Sequence, residues 1–424
     1  MTPEKAWILR TNVYEVNLRQ YTEEGTLAAF HAHLPRLRDM GVETLWFMPL
    51  TPIAQERKKG SLGSYYACSD FTAFSEEFGT MEEFKAFVQE AHGMGLHVII
   101  DWVANHTGWD HRWTREHPDW YERGADGGFV PAHGMEDIIE LDFNNRYMRA
   151  EMIDAMRYWV LEAGIDGFRC DLAFWVELDF WLEAKEALSD HPGLLWLGEL
   201  DPLTHPEYMQ VFDAAYTWSW MHAAQEFYAG RMPRAEWLQL LDRYKTTAGI
   251  PAWFTTNHDE NSWNGTEYEK YGAMAAMLAV FGCTWPGIPL LYSGQELPNE
   301  KRLQFFEKDA IEWNGTPGLG HFYGSLLQLR RNSSALESCA PCRVLNNSAD
   351  ADVLVYLRES HGEPVLVLLN LTPRVQHCFI SEQVPGEGNL REVITGMERA
   401  GATEGWLLPP WGYQVFVPAR ASTK

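Results

Sequence analysis

The sequence predicts an α/β fold: a (β/α)8 TIM barrel with a short inserted subdomain after its third strand and a C-terminal antiparallel β domain. Three observations predict it. Short, almost continuously apolar runs recur through the first three quarters of the 424 residues, as strands buried on both faces of a parallel sheet require. Amphipathic stretches of helical period separate these runs. Near residue 338 the apolar pattern changes to alternation in steps of two, the signature of antiparallel strands with one covered face.

The expected barrel strands are residues 13–16, 44–48, 97–101, 167–171, 195–199, 213–217, 254–258 and 290–294. Between them, residues 26–40, 81–94 and 146–163 read as helices. The first two stop at Gly41 and Gly95, where glycine can adopt the left-handed conformation that closes a helix. Residues 105–145 are rich in Trp, His, Pro and Gly and show no clear period. A long connection inside a compact domain is usually functional, and this one is expected to fold over the barrel mouth. Residues 352–358, 364–371 and 412–417 alternate, with turns at His361-Gly362 and at residues 370–373. The expected division is therefore a barrel of residues 1–104 and 146–337, an insert of 105–145 and a β-sandwich of 338–424.

Composition narrows the function classes. The apolar share of 46% and charged share of 22% are those of an ordinary globular enzyme. A formal net charge of −25 repels phosphate backbones, so a nucleic-acid partner is not expected, and a neutral substrate fits better. No apolar run is long enough to span a membrane. The N-terminus lacks the apolar core and cleavage site of a secretory signal. A cytoplasmic protein is expected, or a secreted one whose signal is absent from this chain. The oligomeric state is not read from the sequence, with a monomer favoured.

Of the six cysteines, Cys68 and Cys170 each sit beside a motif taken up below and Cys283 and Cys378 lie in apolar stretches, and all four read as inert buried thiols. Cys339 and Cys342 have C-x-x-C spacing, but no second pair completes a zinc site and no thioredoxin-like pattern surrounds them. They read as a linker coincidence, or at most a local disulfide. The 19 tryptophans suit sugar binding, because pyranose C–H faces stack on aromatic rings. For any single Trp, core packing is the more common role.

Barrel enzymes gather their chemistry at the C-terminal ends of the strands. Acidic residues recur there: Asp101 ends the third strand, Asp171 the fourth and Glu199 the fifth, and Asp259 follows the seventh. One such Asp is commonly only a helix cap, whereas four around one mouth call for an explanation. A carboxylate ring suits divalent metal binding, or glycosyl transfer through an oxocarbenium-like transition state. In the retaining form of that transfer one carboxylate attacks the anomeric carbon and a protonated partner donates to the leaving oxygen. Arg169 lies two residues before Asp171 on the same strand, so both project to one side, where a guanidinium can orient the nucleophile. Asn105-His106 and Asn257-His258 stand beside two of the acids and suit hydrogen bonding to sugar hydroxyls.

At these residues the chain resembles glycoside hydrolase family 13, the α-amylase family, and the resemblance runs through nearly all of it. Asp101-Trp102-Val103-Ala104-Asn105-His106 is similar to the family's third-strand motif and Gly167-Phe168-Arg169-Cys170-Asp171 to its fourth. Gly198-Glu199 is similar to the fifth-strand motif and Asn257-His258-Asp259 to the seventh. Tyr66, in Gly63-Ser64-Tyr65-Tyr66, sits where the family stacks a tyrosine under the sugar, and Gly287 to Glu296 resembles its eighth strand. The stretch from Asn257 to Tyr268, with Phe305-Phe306-Glu307-Lys308-Asp309, is similar to bacterial α-amylase-like members.

The resemblance implies Asp171 as nucleophile, Glu199 as general acid/base and Asp259 as their supporting carboxylate. It implies Tyr66, His106, Arg169 and His258 as substrate-binding residues. The implied reaction is retaining hydrolysis of α-1,4-glucosidic bonds in starch-type glucans or maltooligosaccharides. A glucanotransferase, or a sucrose- or trehalose-acting enzyme, uses the same three carboxylates and is the alternative; a non-catalytic carbohydrate-binding relative is the reading from another class. Calcium-dependent members carry Lys-His shortly after the nucleophile, whereas Leu172-Ala173-Phe174-Trp175 stands here. No cofactor is therefore expected to be required, and a structural calcium at Asn105 is a weak expectation. Trp175, Trp218 and Trp263 are candidates for shaping the acceptor side, with core packing as the competing role of each.

Overall fold

A computed structural model of the chain describes residues 2–313, 315, 317–382, 389–400 and 405–419. Strands β1 (Val13–Val16), β2 (Thr44–Phe47) and β3 (His97–Trp102) open a parallel barrel. A small antiparallel ribbon follows, β4 (His106–Gly108) with β5 (Ile138–Glu140). The barrel then continues through β6 (Gly167–Cys170), β7 (Leu195–Gly198), β8 (Ala214–Tyr216), β9 (Ile250–Trp253) and β10 (Ile288–Tyr292). It closes where β10 pairs with β1. These strands are buried along almost their whole length, which explains their unbroken apolar character.

Two elements differ most from the sequence expectation. The seventh barrel strand is Ile250–Trp253, four residues ahead of the expected 254–258. Pro251 argues against a strand, while the two threonines after Phe254 favour one; the ladder nevertheless ends at Trp253, and 254–258 turns into the barrel mouth. The expected helix 26–40 is two helices, Leu27–His31 and Leu34–Met40. Pro35 enters at the first turn of the second, where its missing N–H costs nothing, and it would have broken one continuous helix. Gly41 closes that second helix with φ 100°, as expected.

The insert packs down rather than standing free. Trp113, Trp120, Tyr121 and Ile139 join the same apolar cluster as the barrel helices. Gly108 permits its closest approach to the loop after β2, since a Cβ there would stand 2.0 Å from the Cβ of Ala54.

The C-terminal strands are β11 (Cys342–Val344), β12 (Val353–Ser360), β13 (Glu363–Asn370), β14 (Gln376–Cys378), β15 (Asn389–Glu392), β16 (Glu398–Ala400), β17 (Trp406–Leu408) and β18 (Tyr413–Pro418). Six form one sheet in the order β11-β12-β13-β18-β15-β16, and β14 pairs with β17. One face of the sheet, including Leu354, Tyr356 and Val367, packs on the barrel core. The other face, including Val355, Leu357 and Leu368, makes a second core with Trp406 and Leu408 of the β17 strand. Residues 420–424 of the expected C-terminal domain lie outside the described residues. All six cysteines are free thiols. Among the described residues, no helix is long and apolar enough to cross a membrane.

Two buried arginines seal the N-terminal end of the barrel. Arg330 donates to the carbonyls of Thr11 (3.0 Å), Gly287 (2.8 Å) and Leu336 (2.7 Å), joining the segments that lead into β1 and β10. Arg358 of β12 donates to the carbonyls of Thr284 (2.6 Å) and Glu337 (2.7 Å), tying the β domain to the barrel. With carbonyls filling their donor positions, these cations serve assembly, and the chemistry belongs at the opposite end.

Candidate active site

Strand register brings the acids together. Asp101 pairs with Arg169 across β3 and β6, and Cys170 pairs with Gly198 across β6 and β7. Asp171 and Glu199 are thus the next residues outward on adjacent strands, which run about 4.8 Å apart. Arg169 is fully buried and ties this group together. Its Nη1 donates to Asp101 Oδ1 (2.9 Å) and Asp171 Oδ1 (2.8 Å), and its Nη2 lies 2.9 Å from Glu199 Oε2. Its Nε donates to the Tyr216 hydroxyl at 3.2 Å. One planar cation therefore spans three carboxylates, the multidentate arrangement for which guanidinium is suited.

The three acids at the mouth titrate apart. Burial pushes Glu199 up to about 8, with Arg169 opposing the shift and the charges of Asp171 and Asp259 adding to it. Burial also lifts Asp171, to about 6, against the pull of Arg169. The arginine thus limits the rise rather than holding Asp171 at an ordinary carboxylate value, and Asp171 is still ionised at neutral pH. Asp259 is held below its usual range: desolvation works to raise it, but the charge and hydrogen bond of His258 prevail. Glu199 Oε2 accepts the backbone N–H of Leu172 at 2.7 Å and faces Arg169, so the proton of neutral Glu199 belongs on Oε1. Leu172, directly after Asp171, holds the left-handed conformation at φ 36°, which aims that N–H at Glu199.

Around these acids stands a hydrogen-bonded ring. The Tyr66 hydroxyl donates to Asp101 Oδ2 (3.0 Å) and lies 2.7 Å from His258 Nε2, and the two rings stack with centroids 5.4 Å apart. His258 Nε2 also lies 3.2 Å from Asp259, and its Nδ1 pairs with Glu15 on β1. Desolvation alone would lower the His258 pKa, but Asp259 and Glu15 raise it well above the ordinary value. His258 is therefore an imidazolium that donates from both nitrogens. His106 is the opposite case. Burial drops it to about 4, so it is neutral. Asn105 Nδ2 lies 3.4 Å from its Nδ1, and its Nε2 is buried without a hydrogen-bond partner. A buried ring nitrogen left open toward a cavity is a position for a ligand hydroxyl, which can donate or accept.

All seven sequence-predicted site residues converge. Six line or edge one cavity of about 480 Å3, namely Tyr66, His106, Asp171, Glu199, Asp259 and, through Tyr66 and Asp259, His258; Arg169 lies beneath them. The cavity size and mixed lining are those of a small-molecule site. Of the three tryptophans singled out, Trp263 lines it and is 54% exposed. Trp175 stacks on His133 of the insert and Trp218 on His222. Sequence reasoning missed Glu15, Lys59, Asp137 and Leu172. A charged residue inside the apolar strand Val13-Tyr14-Glu15-Val16 was the one available signal for Glu15. Among the described residues, no group of three or more His, Cys, Asp or Glu side chains is placed to hold a metal. The Asn105 carbonyl accepts the N–H of Leu141 at 3.2 Å, and Leu172-Ala173-Phe174-Trp175 directly follow Asp171.

The family model described as α-amylase, catalytic domain, matches residues 11–126 and 120–316. The α-amylase MalA of Haloarcula japonica is 28% identical over 423 residues, covering 94% of this chain; the chain spans 60% of that relative's length. Among solved structures, an α-amylase from Lactobacillus plantarum superposes with a TM-score of 0.86 at 26% identity, covering 97% of this chain and 99% of that one. A structure described as a noncanonic maltogenic α-amylase, AmyB from Thermotoga neapolitana, gives 0.87 at 26% identity, covering 98% and 100%.

Proposed function

Because this chain belongs to the α-amylase family of glycoside hydrolases, we propose that it hydrolyses α-1,4-glucosidic bonds in starch-type glucans or maltooligosaccharides by double displacement. The observation that carries the reading is the Asp171–Arg169–Glu199 cluster, two neighbouring carboxyls on one guanidinium with their pKa values drawn apart. Asp171 attacks the anomeric carbon while Glu199 Oε1 gives its proton to the departing glycosidic oxygen, leaving a covalent glycosyl-enzyme. Glu199, now ionised, takes a proton from water; the resulting hydroxyl attacks the anomeric carbon and Asp171 departs. Asp259, kept ionised by His258, accepts from sugar hydroxyls and stabilises the cationic transition state. The open Nε2 of His106 meets a hydroxyl of the same sugar, and the Tyr66 ring offers it a stacking face.

A product time course on soluble starch, maltoheptaose, pullulan and sucrose tests this. Shorter maltooligosaccharides are expected from starch and maltoheptaose, with sucrose untouched. Products longer than the maltoheptaose supplied would mark transfer to sugar as the main reaction, and turnover of sucrose alone would overturn the α-1,4-glucan assignment.

The pH dependence has a defined sign. Activity requires Asp171 ionised and Glu199 protonated. Thus kcat/KM on maltoheptaose rises as pH passes about 6 and falls beyond about 8, a bell whose limbs belong to the coupled pair. Monotonic rise through the alkaline side would remove Glu199 as the acid. We further propose that catalysis needs no calcium: EDTA leaves both kcat and the melting temperature unchanged, and a loss of either restored by calcium would contradict this.

A further inference from the structure

Residues 55–63, in the loop after β2, edge the barrel mouth, where Lys59 lines the cavity, and are fastened on both sides. Toward the insert, the backbone N–H groups of Gln55 and Glu56 donate to Asp110 Oδ2 at 2.9 and 3.2 Å. The Arg57 guanidinium lies 3.4 Å from the Trp109 ring centroid, and Lys59 Nζ lies 2.6 Å from Asp137. Toward the loop after β10, the Ser61 N–H donates to Glu307 Oε1 at 2.9 Å, its hydroxyl donates to Glu307 Oε2, and the Leu62 N–H donates to the Phe306 carbonyl at 3.2 Å. Gly60 sits so close to Phe306 that a Cβ would come within 2.5 Å of the phenylalanine Cβ, and with φ 63° it holds a conformation glycine adopts freely. The run Gln55-Glu56-Arg57-Lys58-Lys59 thus belongs to a strap pinned at both ends.

The strap closes one particular end of the cavity. In the barrel order, β1 lies between β10 and β2, and β7 is the strand directly opposite β1. A strap running from β2 to the β10 loop therefore stands across the mouth from Glu199. Glu199 protonates the departing oxygen, so the leaving group lies on its side. The glycosyl unit that Asp171 captures extends the other way, toward the strap. The wall it meets there includes Lys59, Asp137, Phe305 and Phe306, all lining the catalytic cavity. Asp137 is almost wholly buried, and its contact with Lys59 is an ion contact without hydrogen-bond geometry, so it retains capacity to accept from a hydroxyl.

Resting on the α-glucan reading above, we propose that the strap makes this an exo-acting enzyme. It takes the non-reducing end of an α-glucan, and the Lys59–Asp137 pair receives the terminal sugar's hydroxyls. An open cleft would let a chain pass beyond the captured unit. Here the fastened strap stops it, and short products leave from one end.

The test uses p-nitrophenyl α-maltoheptaoside and the same compound with its terminal 4- and 6-hydroxyls blocked as an ethylidene acetal, products being resolved by chromatography. The blocked substrate is expected to be cut at least about 100-fold more slowly, measured as the ratio of kcat/KM values. In the double variant Lys59→Ala, Glu307→Ala that ratio is expected to move toward unity as the strap loosens. Equal cleavage of both substrates by the native chain, at internal bonds, overturns the strap inference while leaving the hydrolase reading intact. Cleavage of neither overturns both.

Discussion

Asp171→Asn abolishes turnover of maltoheptaose, lowering kcat by on the order of 10⁴-fold or more, the scale seen when a covalent nucleophile is removed. The amide keeps the shape of the carboxyl but cannot form the glycosyl ester. It also removes one of the charges that raise Glu199, so the alkaline limb of any residual activity shifts downward. The fold should persist, because Arg169 keeps Asp101 and Glu199 as partners. A melting temperature within about 4 °C of the native chain is the check that the loss is chemical. Activity retained within tenfold would remove Asp171 from the mechanism.

Glu199→Gln is expected to act unevenly, and that unevenness distinguishes an acid/base from a merely structural residue. On maltoheptaose, whose leaving group needs a proton, the loss is about 10²–10⁴-fold. On an activated aryl glycoside the first step proceeds without help, so the glycosyl-enzyme accumulates and its hydrolysis limits the rate. Added azide, a nucleophile needing no general base, then restores turnover and leaves as glycosyl azide. The alkaline limb near 8 disappears as well, since the group that produced it is gone. Equal losses on both substrates, with no rescue by azide, would contradict the role.

Much of this site was legible in the sequence because strand ends and motif residues coincide. Asp101, Arg169, Asp171 and Glu199 sit on or next to barrel strands, whose register fixes which side chains meet. The pairing of Arg169 with Asp171 followed from the two-residue period alone. The strand that carries Asp259 was misplaced by four residues, yet the residue still reached the mouth, since the segment after β9 leads there in either case. What could not be read depends on loops meeting across the barrel. Lys59 and Asp137 are 78 positions apart in an irregular loop and an insert, and neither has a periodic neighbour to betray its partner. Glu15 illustrates a different limit: its pairing with His258 spans most of the barrel sequence, and only closure of β10 on β1 brings the two together. The size of the pKa shifts was equally hidden. The sequence supplied the charges, whereas burial, the leading influence on both Asp171 and Glu199, comes from the packed mouth.

The central claim is a covalent double displacement at Asp171, and the anomeric configuration of the first product tests it most directly. Proton NMR of maltoheptaose hydrolysis, recorded before mutarotation proceeds, should show the new reducing end appearing as the α-anomer and only later equilibrating with the β-form. Initial release of the β-anomer would mean a single inverting displacement by water, with Asp171 acting as a base, and would contradict the account.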